Sequence, residues 1–103
     1  MSEYSFKLCE DGKGFTALIG GRIDSANAAD FEKELLAARE ADPEGTAVLD
    51  LTNLEYISSA GLRALLKLQK KEKDKVKLEG VSGEIYEILD ITGFASIFDI
   101  AKL

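Results

Sequence analysis

The 103-residue chain predicts one α/β domain, a mixed sheet packed with about three helices in the order β-β-α-β-α-β-α-β. Three observations predict it. Two short apolar runs near the amino terminus are separated by turn-forming residues, as in a hairpin. After them the apolar period alternates between about 3.6 and short strand-like runs. At each change of period stands a residue that caps a helix or breaks a chain direction. The length suits a single domain spanning residues 1–103, and 46% hydrophobic residues are enough to build its core.

Residues Tyr4 to Cys9 and Phe15 to Ile19 read as the opening strands, joined through Glu10-Asp11-Gly12-Lys13-Gly14 and ended by Gly20-Gly21. From Ser25 to Glu40 the residues Ala28, Phe31, Leu35 and Ala38 fall on one helical stripe, with Asp24 or Ser25 as N-cap. Asp42-Pro43-Glu44-Gly45 breaks the chain. "TAVLDL", Thr46 to Leu51, is a near-continuous apolar run of strand length, the pattern of an inner strand covered on both faces. Leu54, Tyr56 and Ile57 anchor the loop that follows it. Leu62, Leu65, Leu66 and Leu68 give the second helix its core stripe within Ala60 to Lys73. "KVKLEG", Lys75 to Gly80, alternates as a half-covered strand. Ser82 caps a short helix carrying Ile85, Ile88 and Leu89, closed by Gly93, and "SIFDIA", Ser96 to Ala101, reads as the last strand.

Composition excludes several kinds of chemistry. There is no histidine, hence no Ser-His-Asp triad, no His-activated cysteine and no His metal site. No phosphate loop is present, so neither catalysis nor a bound metal or cofactor is expected. The formal net charge of −6 argues against direct binding of nucleic acid. The basic run from Lys67 to Lys75 reads as a solvated helix face. Cys9 cannot pair within the chain and, among apolar neighbours, reads as an inert core thiol. No apolar run has the roughly 18 residues of a membrane span, and the amino terminus lacks the form of a signal peptide. The expectation is a cytoplasmic protein that works through a protein partner.

"LEYISSAGLRALL", Leu54 to Leu66, is the segment that carries more than fold. A helix beginning near Ser59 leaves its first backbone N–H groups unpaired, and Ser58 or Ser59 can satisfy one of them. The other serine would then be a small polar residue at the rim of the sheet, on a braced segment. Ala60 and Gly61 leave little bulk around the hydroxyls, so another molecule has room to approach. A phosphate placed here adds about −1.5 to −2 of charge at a helix N-terminus, which holds an anion without melting. Such a change turns a neutral docking surface against its partner. A loss of roughly 3 to 5 kcal/mol weakens binding about a hundred to several thousand fold.

The sequence resembles the STAS domains, and within them the bacterial anti-sigma factor antagonists. The likeness runs through "GGRIDSANAADFEKEL" (Gly20 to Leu35), "AVLDLTNLEYISSAGLRALL" (Ala47 to Leu66) and "LDITGFASIFDI" (Leu89 to Ile100), the middle segment being the specific one. The resemblance implies a STAS-like fold and a binding protein rather than an enzyme. Unphosphorylated, it would bind an anti-sigma factor that is also a serine kinase and so release a sigma factor. Phosphorylation would end the complex and a serine phosphatase would restore it. Counted back from Gly61, the acceptor falls on Ser59, with Ser58 second, where many members carry aspartate. Asp24, Ser25, Asn27, Ser58, Ala60, Gly61 and Arg63 would join Ser59 in meeting the partner. Many members continue into a further helix beyond the position of Leu103. The same motif also serves STAS adaptors in lipid-transport, stressosome-like or transporter-associated assemblies, and a serine kinase encoded nearby would separate the two readings.

Overall fold

A computed structural model of the chain describes residues 4–10, 12–42, 45–71 and 76–103. Strands β1 (Tyr4–Glu10) and β2 (Gly14–Ile23) form the opening hairpin, antiparallel from Tyr4↔Gly21 to Glu10↔Phe15. Gly12 takes φ of 83° at its turn, a conformation that glycine adopts without cost. The second strand does not stop at Gly20-Gly21 but runs through them to Ile23. A Cβ on Gly20 would lie 2.9 Å from Ser5 Oγ and 3.1 Å from Asn53 Cβ. The glycine therefore permits close neighbours on both sides, and register shifts at this point accommodate it.

Helix α1 (Ala28–Ala41) leads to β3 (Thr46–Ile57), α2 (Ser59–Lys71) to β4 (Val76–Val81), and α3 (Gly83–Ile91) to β5 (Asp99–Lys102). The expected element order is the observed one. The sheet order is β1-β2-β3-β4-β5, with only the β1–β2 pair antiparallel. Right-handed crossovers between strands taken consecutively in one direction place every helix on the same face. Burial agrees: Phe15, Ala17 and Ile19, Ala47, Leu49 and Leu51, and Val76 and Leu78 are buried, while Leu18 and Lys77 on the opposite face are exposed.

That geometry corrects the reading of β3 as covered on both faces. Val48 and Asp50 are only half-buried on the open side. β3 is also twice the expected length, because its second half stays paired to β2 as far as Ile57. Asp50 supports the chain within this strand: its Oδ1 accepts from Thr52 N at 3.0 Å and from Thr52 Oγ1 at 2.6 Å. Gly80 of β4, at φ 64°, lies so close that a Cβ would fall on Thr52 Oγ1.

The core joins the sheet's covered face to Phe31 and Leu35 of α1, Leu62, Leu65 and Leu68 of α2, and Ile85 and Leu89 of α3. Cys9 is not part of it. β1 is an edge strand, and its Cys9 pairs with Thr16 on the open face, leaving the thiol exposed. Ser82 caps α3 through Ile85 N at 3.2 Å, and Gly93 follows the helix at φ 82°. The last strand begins later than Ser96, because Phe94–Ser96 close a 3₁₀ turn that Ser96 Oγ ties to Gly93 O at 3.0 Å. Asp11, Pro43, Glu44 and Lys75, assigned above to turns and to the fourth strand, lie outside the described residues, as does the basic run beyond Lys71.

Candidate functional site

The carboxyl ends of β2 and β3 lie side by side, Ile23 paired with Ile57, and both residues are buried. Ser58 continues this pairing by donating its backbone N–H to Ile23 O at 2.8 Å. Two segments therefore leave the sheet at one point: residues 24–27 toward α1 and Ser58 toward α2. Crevices outside the carboxyl ends of parallel strands are where α/β sheets commonly place their sites. Of the three residues expected to anchor this rim, Leu54 and Ile57 point inward. Tyr56 is 37% exposed, and the Arg22 guanidinium stacks over its ring at 4.8 Å.

Asp24 and Asn27 lock the first segment reciprocally. Asp24 Oδ1 accepts from Ala26 N at 2.8 Å and Asn27 N at 3.1 Å, while Asn27 Oδ1 accepts from Asp24 N at 2.9 Å. Asn27 Nδ2 also donates to Arg22 O at 2.9 Å. This exchange has the form of a capping box, with the carboxylate closing the turn ahead of the helix. Regular α1 begins only at Ala28, so Asp24 caps the entry turn, and Ser25 is exposed within it.

The two serines divide their work. Ser58 is the N-cap of α2: its Oγ accepts from Gly61 N at 3.3 Å, and its carbonyl accepts from Leu62 N at 2.9 Å. Ser59 is the first helical residue and is exposed, and its hydroxyl makes no hydrogen bond among the described residues. The sequence left open which serine caps the helix; the cap falls to Ser58, and Ser59 presents its hydroxyl at the surface. The first turn of α2 contains no acidic residue, so the field of the helix N-terminus is unopposed from within it.

The small residues after the serines also separate. Ala60 is half-buried and lines a surface groove. Gly61 is buried, and a Cβ there would lie 2.7 Å from Ile57 Cγ1 and 2.8 Å from Ile23 Cγ2. The space that Gly61 leaves is filled from inside by the two strand ends. It lets α2 start directly on the rim of the sheet.

The groove, about 280 Å³, runs between α1 and α2. Ala28, Ala29 and Ala60 line it together with Ser25, Glu32, Arg63 and Lys67. Lys67 Nζ pairs with Glu32 Oε2 at 3.2 Å across the two helices. Arg63, one turn ahead of Lys67, is exposed and has no hydrogen bond or ion pair among the described residues. Glu32 and Ala29 of α1 were not among the residues expected to meet a partner; the packing of α1 against α2 brings them beside Ala60 and Arg63. Among the described residues no group of three or more His, Cys, Asp or Glu is placed to hold a metal, and no helix is long and apolar enough to cross a membrane.

A family model for the STAS domain matches residues 16–102. The Bordetella bronchiseptica protein BtrV, named as a candidate anti-sigma factor antagonist, is 41% identical over 89 residues, covering 84% of this chain and 76% of its own. The anti-sigma-B factor antagonist of Bacillus subtilis is 33% identical over 88 residues, covering 81% and 77%. In fold the chain is similar to the anti-sigma factor antagonist SpoIIAA. Its unphosphorylated form superposes with a TM-score of 0.74 at 16% identity, over 94% of this chain and 88% of that one. The phosphorylated form of Bacillus SpoIIAA gives 0.63 at 15% identity, over 94% and 91%.

Proposed function

The chain belongs to the STAS domain family, and from that premise we propose that it is an anti-sigma factor antagonist, a binding protein switched by phosphorylation of Ser59. In this reading the unphosphorylated chain engages an anti-sigma factor in the cytoplasm and so frees a sigma factor. The docking surface runs from the Asp24–Asn27 turn across Ser58, Ser59 and Ala60 to Arg63. A serine kinase, most simply the anti-sigma factor itself, transfers the γ-phosphoryl group of ATP to Ser59 Oγ, with loss of the hydroxyl proton and release of ADP. A serine phosphatase returns the hydroxyl by hydrolysis. The names of the two relatives, both antagonists, support the class of activity.

The observation that carries the switch is the division between the serines. A hydroxyl already spent on capping cannot be modified without loosening its helix. Ser58 has that bond and Ser59 does not. A phosphate on Ser59 would therefore change the charge of the surface while α2 keeps its cap, and it would sit beside N–H groups that favour an anion.

The test is intact-mass and phosphopeptide mapping of the protein purified from its own host under several growth conditions, with affinity capture by Ser59→Ala and Ser59→Asp. The expected result is phosphate on Ser59 that varies with condition, and an anti-sigma factor captured by Ser59→Ala but not by Ser59→Asp. Absence of phosphate from Ser59 in every condition, or equal capture by both variants, would overturn the switch and leave a constitutive adaptor.

A further inference from the structure

Arg63 has no role in the fold that the described contacts show. It is exposed, and the neighbouring base Lys67 has already taken Glu32. Its position in α2 is four residues after Ser59, the spacing at which side chains on one helix face meet. Helical Cα–Cβ bonds tilt toward the N-terminus, so a side chain at position 63 leans over the turn that carries Ser59. No acidic residue occupies that turn to compete for the guanidinium.

We infer that Arg63 is the side chain that takes the phosphate: once Ser59 is phosphorylated, the guanidinium pairs with it and is withdrawn from the groove between α1 and α2. Guanidinium suits the task because its planar array of donors matches phosphate oxygens. The inference rests on Ser59 as the modified residue, and it adds to that reading how the switch reaches the docking surface. In the unmodified chain Arg63 offers the groove a positive group free to meet a carboxylate of the partner. In the phosphorylated chain the same group is neutralised from within, so the modification both adds a negative charge and removes a positive one. The other charged groups lining the groove are Glu32 of α1 and Lys67 of α2, while the Asp24 carboxylate of the entry turn is engaged by the backbone N–H groups of Ala26 and Asn27. Of these, Lys67 and Glu32 satisfy each other.

The experiment uses the full chain with phosphoserine installed at position 59 during translation, titrated by phosphorus NMR. A paired guanidinium favours the dianion, so the second phosphate dissociation should lie about 0.3 units lower in the parent than in Arg63→Ala, the size of a surface pair at this spacing. Arg63→Lys should restore part of the shift, Lys67→Ala should leave it in place, and the difference should shrink in high salt. Coincident curves for the parent and a folded Arg63→Ala would overturn the inference, as would an equal effect from Lys67→Ala. Because the phosphate is installed, the outcome does not depend on whether the host modifies Ser59. Failure of the switch and failure of the clamp therefore appear in different measurements.

Discussion

Ser58 and Ser59 are chemically alike and adjacent, yet one hydroxyl caps a helix and the other makes no hydrogen bond among the described residues. The difference comes from the backbone: Ser58 N–H still belongs to the sheet through Ile23 O, while Ser58 Oγ already belongs to the helix. Ser58→Ala removes an N-cap bond and should lower stability by about 1 kcal/mol. Ser59→Ala removes no hydrogen bond among the described residues and should change stability by less than about 0.5 kcal/mol. Urea unfolding of the two variants, read at their midpoints with unchanged slope, checks the pair of expectations. Equal losses would mean that both hydroxyls serve the helix. The sequence narrowed the site to these two residues, because Ser-Ser before Ala-Gly-Leu is short enough to recognise. It left open which serine caps, because a one-residue shift in the helix start exchanges their roles. That start is fitted by Gly61 seated against the neighbouring Ile57 and against Ile23, which is far away in the chain.

Between elements, the edge strand β1 is held to α1 by aromatic and polar contacts at one place. The Tyr4 ring meets Phe31 edge-on with centroids 6.2 Å apart, and Tyr4 Oη donates to Glu34 Oε1 at 3.0 Å. Burial of the phenol, aided by the hydrogen bond to Glu34 and the nearby Glu34 and Asp30 charges, pushes its pKa up to about 12. A phenol that stays protonated in the folded chain but ionises near its ordinary value of 10.0 when unfolded binds more protons in the folded state. Its contribution is complete below pH 10 and is lost as the pH rises toward 12. Thermal unfolding followed from pH 9 to pH 12 should show this loss, and Tyr4→Phe should flatten the slope. An unchanged slope in the variant would assign the alkaline loss to other groups. In α1 the stripe of Phe31, Leu35 and Ala38 was legible because period alone reveals it. The end of β2 was not, since Gly20-Gly21 reads locally as a stop and only pairing with Ser5 and Asn53 makes it strand.

Across the whole molecule, one face of a mostly parallel sheet has all three helices and the other is open. Sheet order and crossover handedness produce this together, and they bring the proposed docking residues to the rim above the covered face. The chain has a net charge of −6, and Glu32–Lys67, with side chains 30% and 59% exposed, is a pair that contributes little. Excess negative charge disfavours the compact state, so screening should stabilise it. The thermal midpoint should therefore rise between 20 and 200 mM sodium chloride; a fall would show that attractive pairs dominate the surface. The same screening should oppose capture of any partner that approaches Arg63 through a carboxylate.

Element order, helical faces, the leading hairpin and the family likeness are legible in the chain alone, because each is written in local period, cap residues or a short contiguous motif. The rest came from packing. It showed that β3 is covered on one face, since an apolar run looks alike whether one or two layers pack on it. It placed Cys9 at an exposed edge, because edge position follows from strand order and not from neighbours in sequence. It also gathered Ala28, Ala29 and Glu32 beside Ala60, Arg63 and Lys67, from two helices separated in the chain by the whole of β3. No local pattern specifies such a groove, because it exists only where two helix faces are packed on one side of a sheet.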